Sequence, residues 1–508
     1  MNGGRRDLCD LAVGLCDGVL PLLPPGPPVD AVGAVRSRLT ESALRIAVGG
    51  RLNAGKSTLV NALLGRRLAA TASTECTMLV AWFRKGPQNR IEVRLADGRR
   101  HCVSGRPGGG VPYDVTRLGA PREQIEEIVV EVTDCLATGE YTLVDTPGMD
   151  SLSGLDDVAM RVLARTDALL YVMPHPGAGD LEALEALRRQ AGARVTAINA
   201  VGVLSRIDEL GPGVGDPWVD ARRIGATYTR LLSGKVAEVV PVVGLLAQTA
   251  LGDGFTERDT ALVRRLAGAG AGELDLALYS PDDFRRWESG PLTAEERERM
   301  LDLLGRYGIA VAVAAVRAGA GTGTLLGELR RASGVDALLD HVQRRFVAAS
   351  DRLRATAALG LLEEIAAAAI RADPSASTRT AVDCLRQGVA AVRQHPMLRQ
   401  AELSAALEDL ASGRLLLPEG QAAALIALAT GRDPAECLGC GEGAAPGRVA
   451  SAAAAQVTEW RRVESGPSRV ARRHARTARV LCEEFYFAAE AGPKGRRGWK
   501  RGRQSSPS

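Results

Sequence analysis

Eight residues, Gly50 to Ser57, have the pattern G-x-x-x-x-G-K-S, whose chemistry is the binding of a phosphate chain. In such a loop, backbone N–H groups surround the phosphate oxygens, Lys56 reaches the β- and γ-phosphates, and the Ser57 hydroxyl ligates Mg²⁺. Gly50 and Gly55 let the loop curl tightly because neither has a Cβ. The residues that we expect to contact the nucleotide here are Gly50, Asn53, Ala54, Gly55, Lys56, Ser57 and Thr58.

A second candidate element, Asp145-Thr146-Pro147-Gly148, follows the apolar run from Tyr141 to Val144. A carboxylate at the end of a strand holds Mg²⁺ through water, and Gly148 can offer its N–H to the γ-phosphate. The alternative is a turn without function. The distance of this element from the first loop favours the nucleotide role.

A third candidate element, Ser205-Arg206-Ile207-Asp208, follows the apolar run from Ala200 to Val203. It resembles the guanine-reading pattern [NT]-K-x-D, with Ser in place of Asn or Thr and Arg in place of Lys. A carboxylate at Asp208 accepts from the N1–H and N2–H₂ groups of guanine, a donor pair that adenine lacks. The aliphatic part of Arg206 can cover the base as a lysine does. The element therefore predicts that GTP is selected over ATP.

A fourth element must supply a threonine hydroxyl to Mg²⁺ and a backbone group near the γ-phosphate. Thr71, Thr74 and Thr77 are the candidates, and Thr77 is preferred because it directly precedes a predicted strand, with Thr74 second. The predicted metal ligands are then Ser57, Thr77 and Asp145.

Alternating strands and helices are expected to position these groups. The run Leu44 to Val48 is a predicted strand that leads into the phosphate-binding loop. Further strands are predicted over residues 78–83, 91–95, 128–132, 141–144, 168–173, 197–203 and 239–243. Such alternation favours an α/β head with a mainly parallel sheet and helices on both faces. After about residue 255 the strand patterns give way to Ala- and Leu-rich helices, including one predicted over 447–491.

Charge and composition restrict the remaining possibilities. The net charge is +4, but the last 18 residues carry six basic and no acidic residues, which leaves about −2 for the rest and excludes a general nucleic-acid binder. Nine scattered cysteines indicate reduced thiols in a cytosolic protein, and for Cys437-x-x-Cys440 a surface loop is favoured over zinc. No signal peptide is expected. No apolar run reaches the ~18 residues of a membrane span, so membrane contact is expected to be peripheral.

The motifs together resemble the bacterial dynamin-like GTPases. The segments over residues 50–65, 74–87, 205–208 and 239–247 carry the resemblance, most closely to the actinobacterial isoniazid-inducible, IniC-type group. In the last segment we expect Val243 and Gly244 to contact the nucleotide. The resemblance implies a GTPase head on an all-α helical-bundle neck and stalk. The implied domains are N-terminal neck helices (1–40), the GTPase domain (41–330), the stalk with a C-terminal neck helix (331–491) and a disordered basic tail (492–508).

The resemblance also implies an activity and its partners. It implies hydrolysis of GTP with Mg²⁺, homodimerisation through the heads, and remodelling or fusion of the cytoplasmic membrane by a protein bound at its inner face through anionic lipids. A second dynamin-like protein is a possible partner, and no specific nucleic acid is expected. Where eukaryotic dynamins have a glutamine, this chain has Leu52, which cannot form a side-chain hydrogen bond. The implied catalytic groups are then Lys56, Asn53 and Thr77, with slow turnover expected.

Two alternatives stay open for the activity and two for the lipid contact. The chain could be an Era- or TrmE-like GTPase acting on RNA or ribosomes, or a weakly hydrolysing, nucleotide-dependent scaffold. The leucines of the Gly413–Pro418 segment could insert into lipid or close the core of a helical hairpin. The basic tail could bind anionic headgroups or remain solvated.

Overall fold

The computed structural model describes most of the chain in two compact units. It describes residues 7–70, 79–104, 110–112, 115–136, 139–148, 162, 165–174, 182, 184, 199–210, 215–232, 235–411, 413, 415–431, 433–441 and 443–490. The first unit contains Ala31–Leu361 with the N-terminal residues up to Val13. The second contains Gly14–Asp30 and the chain from Leu362 onward.

In the described residues of the first unit, nine strands form one sheet in the order β4-β3-β5-β2-β6-β1-β7-β8-β9. They are β1 Leu44–Gly50, β2 Ala81–Lys85, β3 Arg90–Leu95, β4 Arg100–Val103, β5 Ile125–Val132, β6 Tyr141–Asp145, β7 Ala168–Met173, β8 Ala200–Leu204 and β9 Val239–Pro241. From β6 to β9 every pairing is parallel. The β2–β6, β3–β5 and β3–β4 pairings are antiparallel. The α/β head is thereby confirmed, with a sheet that is mixed rather than uniformly parallel.

The parallel half of the sheet is buried on both faces, as its sequence requires. All residues of β6, β7 and β8 are buried, which explains their continuous apolar runs. Neighbouring residues of β1 point to opposite faces, so Ile46 belongs to one hydrophobic core and Ala47 to the other. Strand β4 was not predicted, because an edge strand needs little apolar surface and Arg-His-Cys-Val shows no apolar run.

The helices of the first unit cover both faces of the sheet. In chain order they are α1 Asp7–Val19 (shared with the second unit), α2 Pro27–Thr40, α3 Lys56–Leu64, α4 Trp218–Leu231, α5 Gly244–Leu251, α6 Glu257–Ala267, α7 Ala271–Ala277, α8 Pro281–Arg286, α9 Ala294–Arg317, α10 Thr322–Ser333 and α11 Val335–His341. A π-helix over Val342–Val347 and helix α12, Ser350–Ala372, follow, and α12 belongs to the second unit from Leu362 onward. Residues of α3 pack in the first core, whereas α6 and α9 pack in the second.

All regular secondary structure in the described residues of the second unit is helical, as predicted. Its further helices are α13 Ala376–Arg393, α14 Pro396–Ala411, α15 Glu419–Thr430, α16 Pro434–Cys437, α17 Pro446–Glu464 and α18 Arg469–Glu490. Its core includes the fully buried Trp460 and Cys482. The single helix predicted over 447–491 is wrong: α17 and α18 are separate helices, because the intervening Gly466-Pro467 pair favours a helix end. In the part of the chain that the structure describes, no helix is long and apolar enough to cross a bilayer.

Candidate functional site

The predicted phosphate-binding loop joins the end of β1 to the start of α3 and has a backbone that needs its glycines. Gly50 has φ 147° and Gly55 has φ 93°, a region that L side chains rarely adopt. A Cβ at Gly50 would lie 2.3 Å from the carbonyl oxygen of Val172 on β7. Asn53 also has a positive φ of 58°, which asparagine tolerates better than most residues. The loop is thus curled closely over the ends of two central strands.

Lys56 is the first residue of α3, and its side chain turns back across the loop. The residue is 7% exposed, and Nζ donates a 2.9 Å hydrogen bond to the backbone oxygen of Arg51. This contact holds the ammonium group on the inner side of the curled loop. A phosphate chain held by the loop's N–H groups would meet the lysine charge there.

Ser57 and Asp145 lie together at the carboxyl end of the sheet. The Ser57 hydroxyl donates a 2.7 Å hydrogen bond to Oδ2 of Asp145. Oδ1 of this buried carboxylate has no hydrogen-bond partner among the described residues. Burial raises the pKa of the Asp145 carboxyl to about 6, although the Ser57 hydrogen bond and the charge of Lys56 oppose the shift. A hydroxyl beside a carboxylate with an unsatisfied oxygen is a donor set that fits Mg²⁺.

The chain after Asp145 packs against the phosphate-binding loop through Gly148. A Cβ at Gly148 would lie 2.8 Å from the Cα of Leu52 and 2.9 Å from its backbone nitrogen. Glycine is therefore the residue that lets these two loops approach. The Leu52 side chain is 47% exposed at this junction. Thr146, next to Asp145, anchors the turn by donating a 2.9 Å hydrogen bond to the backbone oxygen of Val48.

The predicted guanine-reading segment follows β8 and is bonded directly to the phosphate-binding loop. The buried Ser205 hydroxyl donates a 2.7 Å hydrogen bond to the backbone oxygen of Ala54. Arg206 has a left-handed backbone, and its guanidinium group forms a 3.0 Å ion pair with Glu209. Asp208 is half-buried, and burial raises the pKa of its carboxyl above its usual range. The Ser205 bond holds the segment in register with the loop.

Val243 and Gly244 lie at the start of α5, beside the same segment. The preceding Val242 N–H donates a 2.8 Å hydrogen bond to the backbone oxygen of Leu204, and Val243 N–H donates one of 2.9 Å to Ser333. A Cβ at Gly244 would be 3.7 Å from the methyl group of Thr58 on α3. The structure thus brings together, at the carboxyl ends of β1, β6, β8 and β9, all of the predicted site residues that it describes. They are Gly50, Asn53, Ala54, Gly55, Lys56, Ser57, Thr58, Asp145, Gly148, Ser205, Arg206, Asp208, Val243 and Gly244. Thr77 and its alternatives Thr71 and Thr74 lie outside the described residues.

Asn61 was not among the predicted site residues, although it organises the chain that leads towards the candidate threonines. It is fully buried, and its side-chain oxygen accepts from the N–H groups of Leu68 and Ala69 at 2.9 and 2.8 Å. Its amide nitrogen donates to the Ala69 carbonyl and to Gln248 of α5, both at 3.2 Å. A polar residue in the otherwise apolar run Leu59–Leu64 was the signal available in the sequence.

The Cys-x-x-Cys pair shows no sign of a metal centre. Cys437 is buried, and Cys440 is partly exposed. Among the described residues, no three or more histidine, cysteine or acidic side chains lie together in a group that could hold a metal ion. Within those residues, the Mg²⁺ prediction depends on the oxygen ligands of the phosphate site.

Comparisons with known proteins place this site in a family. A family model described as the Dynamin family matches residues 46–205, which include the phosphate-binding loop, Asp145 and Ser205. The isoniazid-induced protein IniC of Mycobacterium tuberculosis is 34% identical over 477 residues, covering 90% of this chain and 92% of IniC. The bacterial dynamin-like protein of Nostoc punctiforme is 22% identical over 161 residues, covering 28% of this chain and 22% of that protein.

Among solved structures, a chain of an oligomerised bacterial dynamin pair aligns with 96% of this chain and 76% of its own length. The TM-score of this alignment is 0.34, and the sequence identity is 12%. The alignment with IniC is different in kind, because 90% coverage includes both the sheet-bearing head and most of the helical region. The chain therefore belongs to the dynamin family and is a bacterial dynamin-like GTPase of the IniC type.

Proposed function

We propose that the head hydrolyses GTP with Mg²⁺ at the edge of the sheet where the phosphate-binding loop, Asp145 and Asp208 converge. The carrying observation is the Ser57–Asp145 hydrogen bond of 2.7 Å, which joins the end of the phosphate-binding loop to the end of β6. Gly50, Gly55, Ala54 and Thr58 hold the phosphates through the loop and the first turn of α3. Lys56 supplies the positive charge that balances charge developing on the transferred phosphoryl group.

The proposed metal ligands are Ser57 directly and Asp145 through water, with Thr77 as the third. The orphaned Oδ1 of Asp145 supports this assignment, because a buried carboxylate oxygen requires a partner. When bound, Mg²⁺ neutralises charge on the β- and γ-phosphates. Gly148, pressed against Leu52, is proposed to present its N–H to the γ-phosphate, and Asn53 and Thr77 are proposed to assist hydrolysis.

Guanine selection is assigned to Asp208, whose carboxylate accepts from N1–H and N2–H₂ of the base. Arg206, Val243 and Gly244 are proposed to surround the base, while Ser205 holds the segment against the phosphate-binding loop. Replacing Asp208 by Asn exchanges an acceptor for a donor and should shift the preference from GTP towards XTP. An Asp208→Asn protein with unchanged preference would remove this role.

Hydrolysis at this site is tested by Lys56→Ala, with phosphate release and binding of a fluorescent GDP analogue as readouts. We expect loss of nucleotide binding and at least about a hundredfold loss of turnover. The matched control is Lys85→Ala, an exposed lysine at the end of β2, which should leave both readouts unchanged. GTP turnover retained by Lys56→Ala would refute the assignment.

We further propose that the protein acts on the inner face of the cytoplasmic membrane as a peripheral, membrane-remodelling GTPase. In the second unit, the segment between α14 and α15 carries Leu415, Leu416 and Leu417. Leu415 is 2% exposed and Leu417 packs against the helical core, whereas Leu416 is 82% exposed. Two of the three leucines thus close the helical hairpin, and Leu416 supports a shallow contact with lipid.

Liposome co-sedimentation with and without GTP tests the membrane proposal. We expect pelleting with anionic liposomes and weaker pelleting after Leu416→Asp. The matched control is Leu276→Asp, because Leu276 is similarly exposed at 76% but belongs to the head. If the wild-type protein pellets with anionic liposomes in no nucleotide state, the membrane proposal is excluded. Deletion of residues 492–508 measures the separate contribution of the basic tail.

The proposed working form is a homodimer through the heads, with a second dynamin-like protein as a further proposed partner. The proposed division is neck helices over 1–40, the GTPase domain over 41–330, the stalk and C-terminal neck helix over 331–491, and a tail over 492–508. Light scattering with GDP and with a non-hydrolysable GTP analogue tests self-association. A monomeric mass in both states would contradict the homodimer.

A further inference from the structure

Helix α9 is broken at Gly305, in a backbone conformation that only glycine adopts readily. Gly305 has φ 60° and ψ −179° inside the span Ala294–Arg317. This region is essentially closed to residues with a side chain. The break interrupts the regular backbone hydrogen bonds of a 24-residue helix, so it must be stabilised by contacts from outside the helix.

Helix α5 supplies two of those contacts. The buried Thr249 hydroxyl donates a 2.5 Å hydrogen bond to the backbone oxygen of Leu303, two residues before the break. Three residues after the break, Gly308 packs so closely that an added Cβ would lie 2.2 Å from Cδ2 of Leu246. Helix α5 starts at Gly244 beside the base-reading segment. The helix that contacts both sides of the break therefore also borders the candidate nucleotide site.

The two residues that follow the break are also anchored. The Arg306 guanidinium donates a 2.6 Å hydrogen bond to the backbone oxygen of Tyr279. The indole N–H of Trp218 donates a 3.2 Å hydrogen bond to the hydroxyl of Tyr307. With both flanks held, the backbone position of Gly305 is determined by its surroundings.

The broken backbone lies close to the carboxylate of Asp208. A Cβ at Gly305 would be 3.6 Å from Oδ2 of Asp208 and 3.6 Å from Cδ2 of Leu245. Within the described residues, the carboxylate accepts a hydrogen bond from its own backbone, and Arg306 and Arg206 provide favourable charge. Gly305 therefore borders the carboxylate on the side of Oδ2.

We propose that Gly305 is a positioning residue for guanine specificity, because the helix break places backbone against Asp208 and orients its carboxylate towards both guanine donors. This inference rests on the guanine-reading role proposed for Asp208. In a continuous helix the backbone would follow a different course at this position, and a residue with a side chain could occupy it. The long helix of the head thereby becomes one wall of the base pocket.

The ratio of affinities for GTP and ITP is the readout that follows the carboxylate orientation. Hypoxanthine keeps N1–H but lacks the N2 amino group, so the ratio measures the second hydrogen bond to Asp208. One hydrogen bond to a charged group corresponds to about tenfold or more in affinity. Competition of GTP and ITP with a fluorescent GDP analogue on the full-length protein gives this ratio directly.

We expect Gly305→Ala to lower the GTP/ITP ratio at least about threefold, since alanine cannot hold the broken backbone. The matched control is Gly319→Ala, which strains a glycine of φ 89° just after the same helix and meets nothing within 4 Å. Urea unfolding midpoints measure the stability lost in each variant. If Gly305 had only a structural role, Gly305→Ala would lower the urea unfolding midpoint without changing the GTP/ITP ratio.

Thr249→Val tests the same wall by a second route, because it removes the hydroxyl that holds Leu303 and keeps the shape of the side chain. It should lower the GTP/ITP ratio in the same direction, and it keeps the proposal testable if Gly305→Ala does not fold. Asp208→Ala distinguishes the guanine-reading role of Asp208 from the positioning role of Gly305. If Asp208→Ala leaves the ratio unchanged, the guanine-reading role fails. If only Asp208→Ala lowers it, while Gly305→Ala and Thr249→Val match wild type, the role stands and the inference about Gly305 is overturned.

Discussion

The Ser57 hydroxyl donates its hydrogen bond to Oδ2 of Asp145, a residue 88 positions further along the chain. The two residues belong to α3 and β6, and β6 pairs with β1 in parallel register up to Val48 and Asp145. The second oxygen of the carboxylate stays without a partner in the described structure. The serine thus orients the carboxylate through one oxygen and leaves the other buried oxygen without a hydrogen-bond donor.

The first prediction concerns this carboxylate. Asp145→Asn keeps the shape but removes the charge that we propose holds Mg²⁺, so GTP turnover should fall at least about a hundredfold. Titration of turnover with Mg²⁺ measures the effect, and Asp134→Asn, at an exposed site after β5, should behave as wild type. Unchanged Mg²⁺ dependence in Asp145→Asn would contradict the metal role.

The second prediction concerns Asn61 and the segment that it holds. Asn61→Ala leaves the N–H groups of Leu68 and Ala69 without their buried acceptor, at a cost of about 2–4 kcal/mol in the free energy of unfolding. Urea denaturation measures this cost. Asn89→Ala is the control, because Asn89 accepts from Thr133 at an exposed site and should cost less than about 1 kcal/mol. Equal costs for the two variants would disprove the special role of Asn61.

The third prediction is a pH dependence of stability that arises from Asp259. This carboxylate is fully buried: burial acts to raise its pKa, but hydrogen bonds from Arg299 and Thr256 outweigh burial and lower it. A lowered folded-state pKa contributes stability above the ordinary carboxyl value of about 4, and the contribution is lost as the pH falls through the folded pKa.

Asp259→Asn should therefore cost about 2 kcal/mol or more at pH 7 and less at pH 3.5, measured by urea denaturation at both values. Asp97→Asn is the comparison, because Asp97 pairs with Arg99 at an exposed turn, where solvent screens the ion pair, and its replacement should change the free energy of unfolding little at either pH. A cost for Asp259→Asn that stays constant between the two pH values would count against this account.

The fourth prediction concerns the order in which thiols react. Burial raises the pKa of Cys9 to about 11 and that of Cys482 to about 12, so neither forms a thiolate readily at pH 8. Cys102 and Cys384 are exposed. Iodoacetamide at pH 8, followed by peptide mass spectrometry, should modify the exposed pair in the native protein and the buried pair only in urea. Equal rates of modification for Cys9 and Cys102 in the native protein would contradict this prediction.

Local patterns in the sequence were sufficient to predict the elements that depend on neighbouring residues. Glycine and lysine spacing marks the loop before Ser57, because a backbone that wraps phosphate needs positive φ at Gly50 and Gly55. The long apolar runs of β7 and β8 mark strands buried on both faces. The short polar edge strand β4 was not predicted, because its pairing with β3 leaves no apolar run in its own sequence. The helix predicted over 447–491 proved to be two helices, because a short break between them ends the first one.

Adjacent residues are enough to recognise the type of this protein, since the phosphate-binding loop, Asp145 and the guanine-reading pattern are each short local motifs. Which groups meet in space depends on the fold. The antiparallel pairing of β2 with β6, the Ser205 bond to Ala54 and the placement of Gly305 beside Asp208 join residues far apart in the chain. Such contacts depend on how strands pair and helices pack, and the spacing of residues along the chain does not determine either of these.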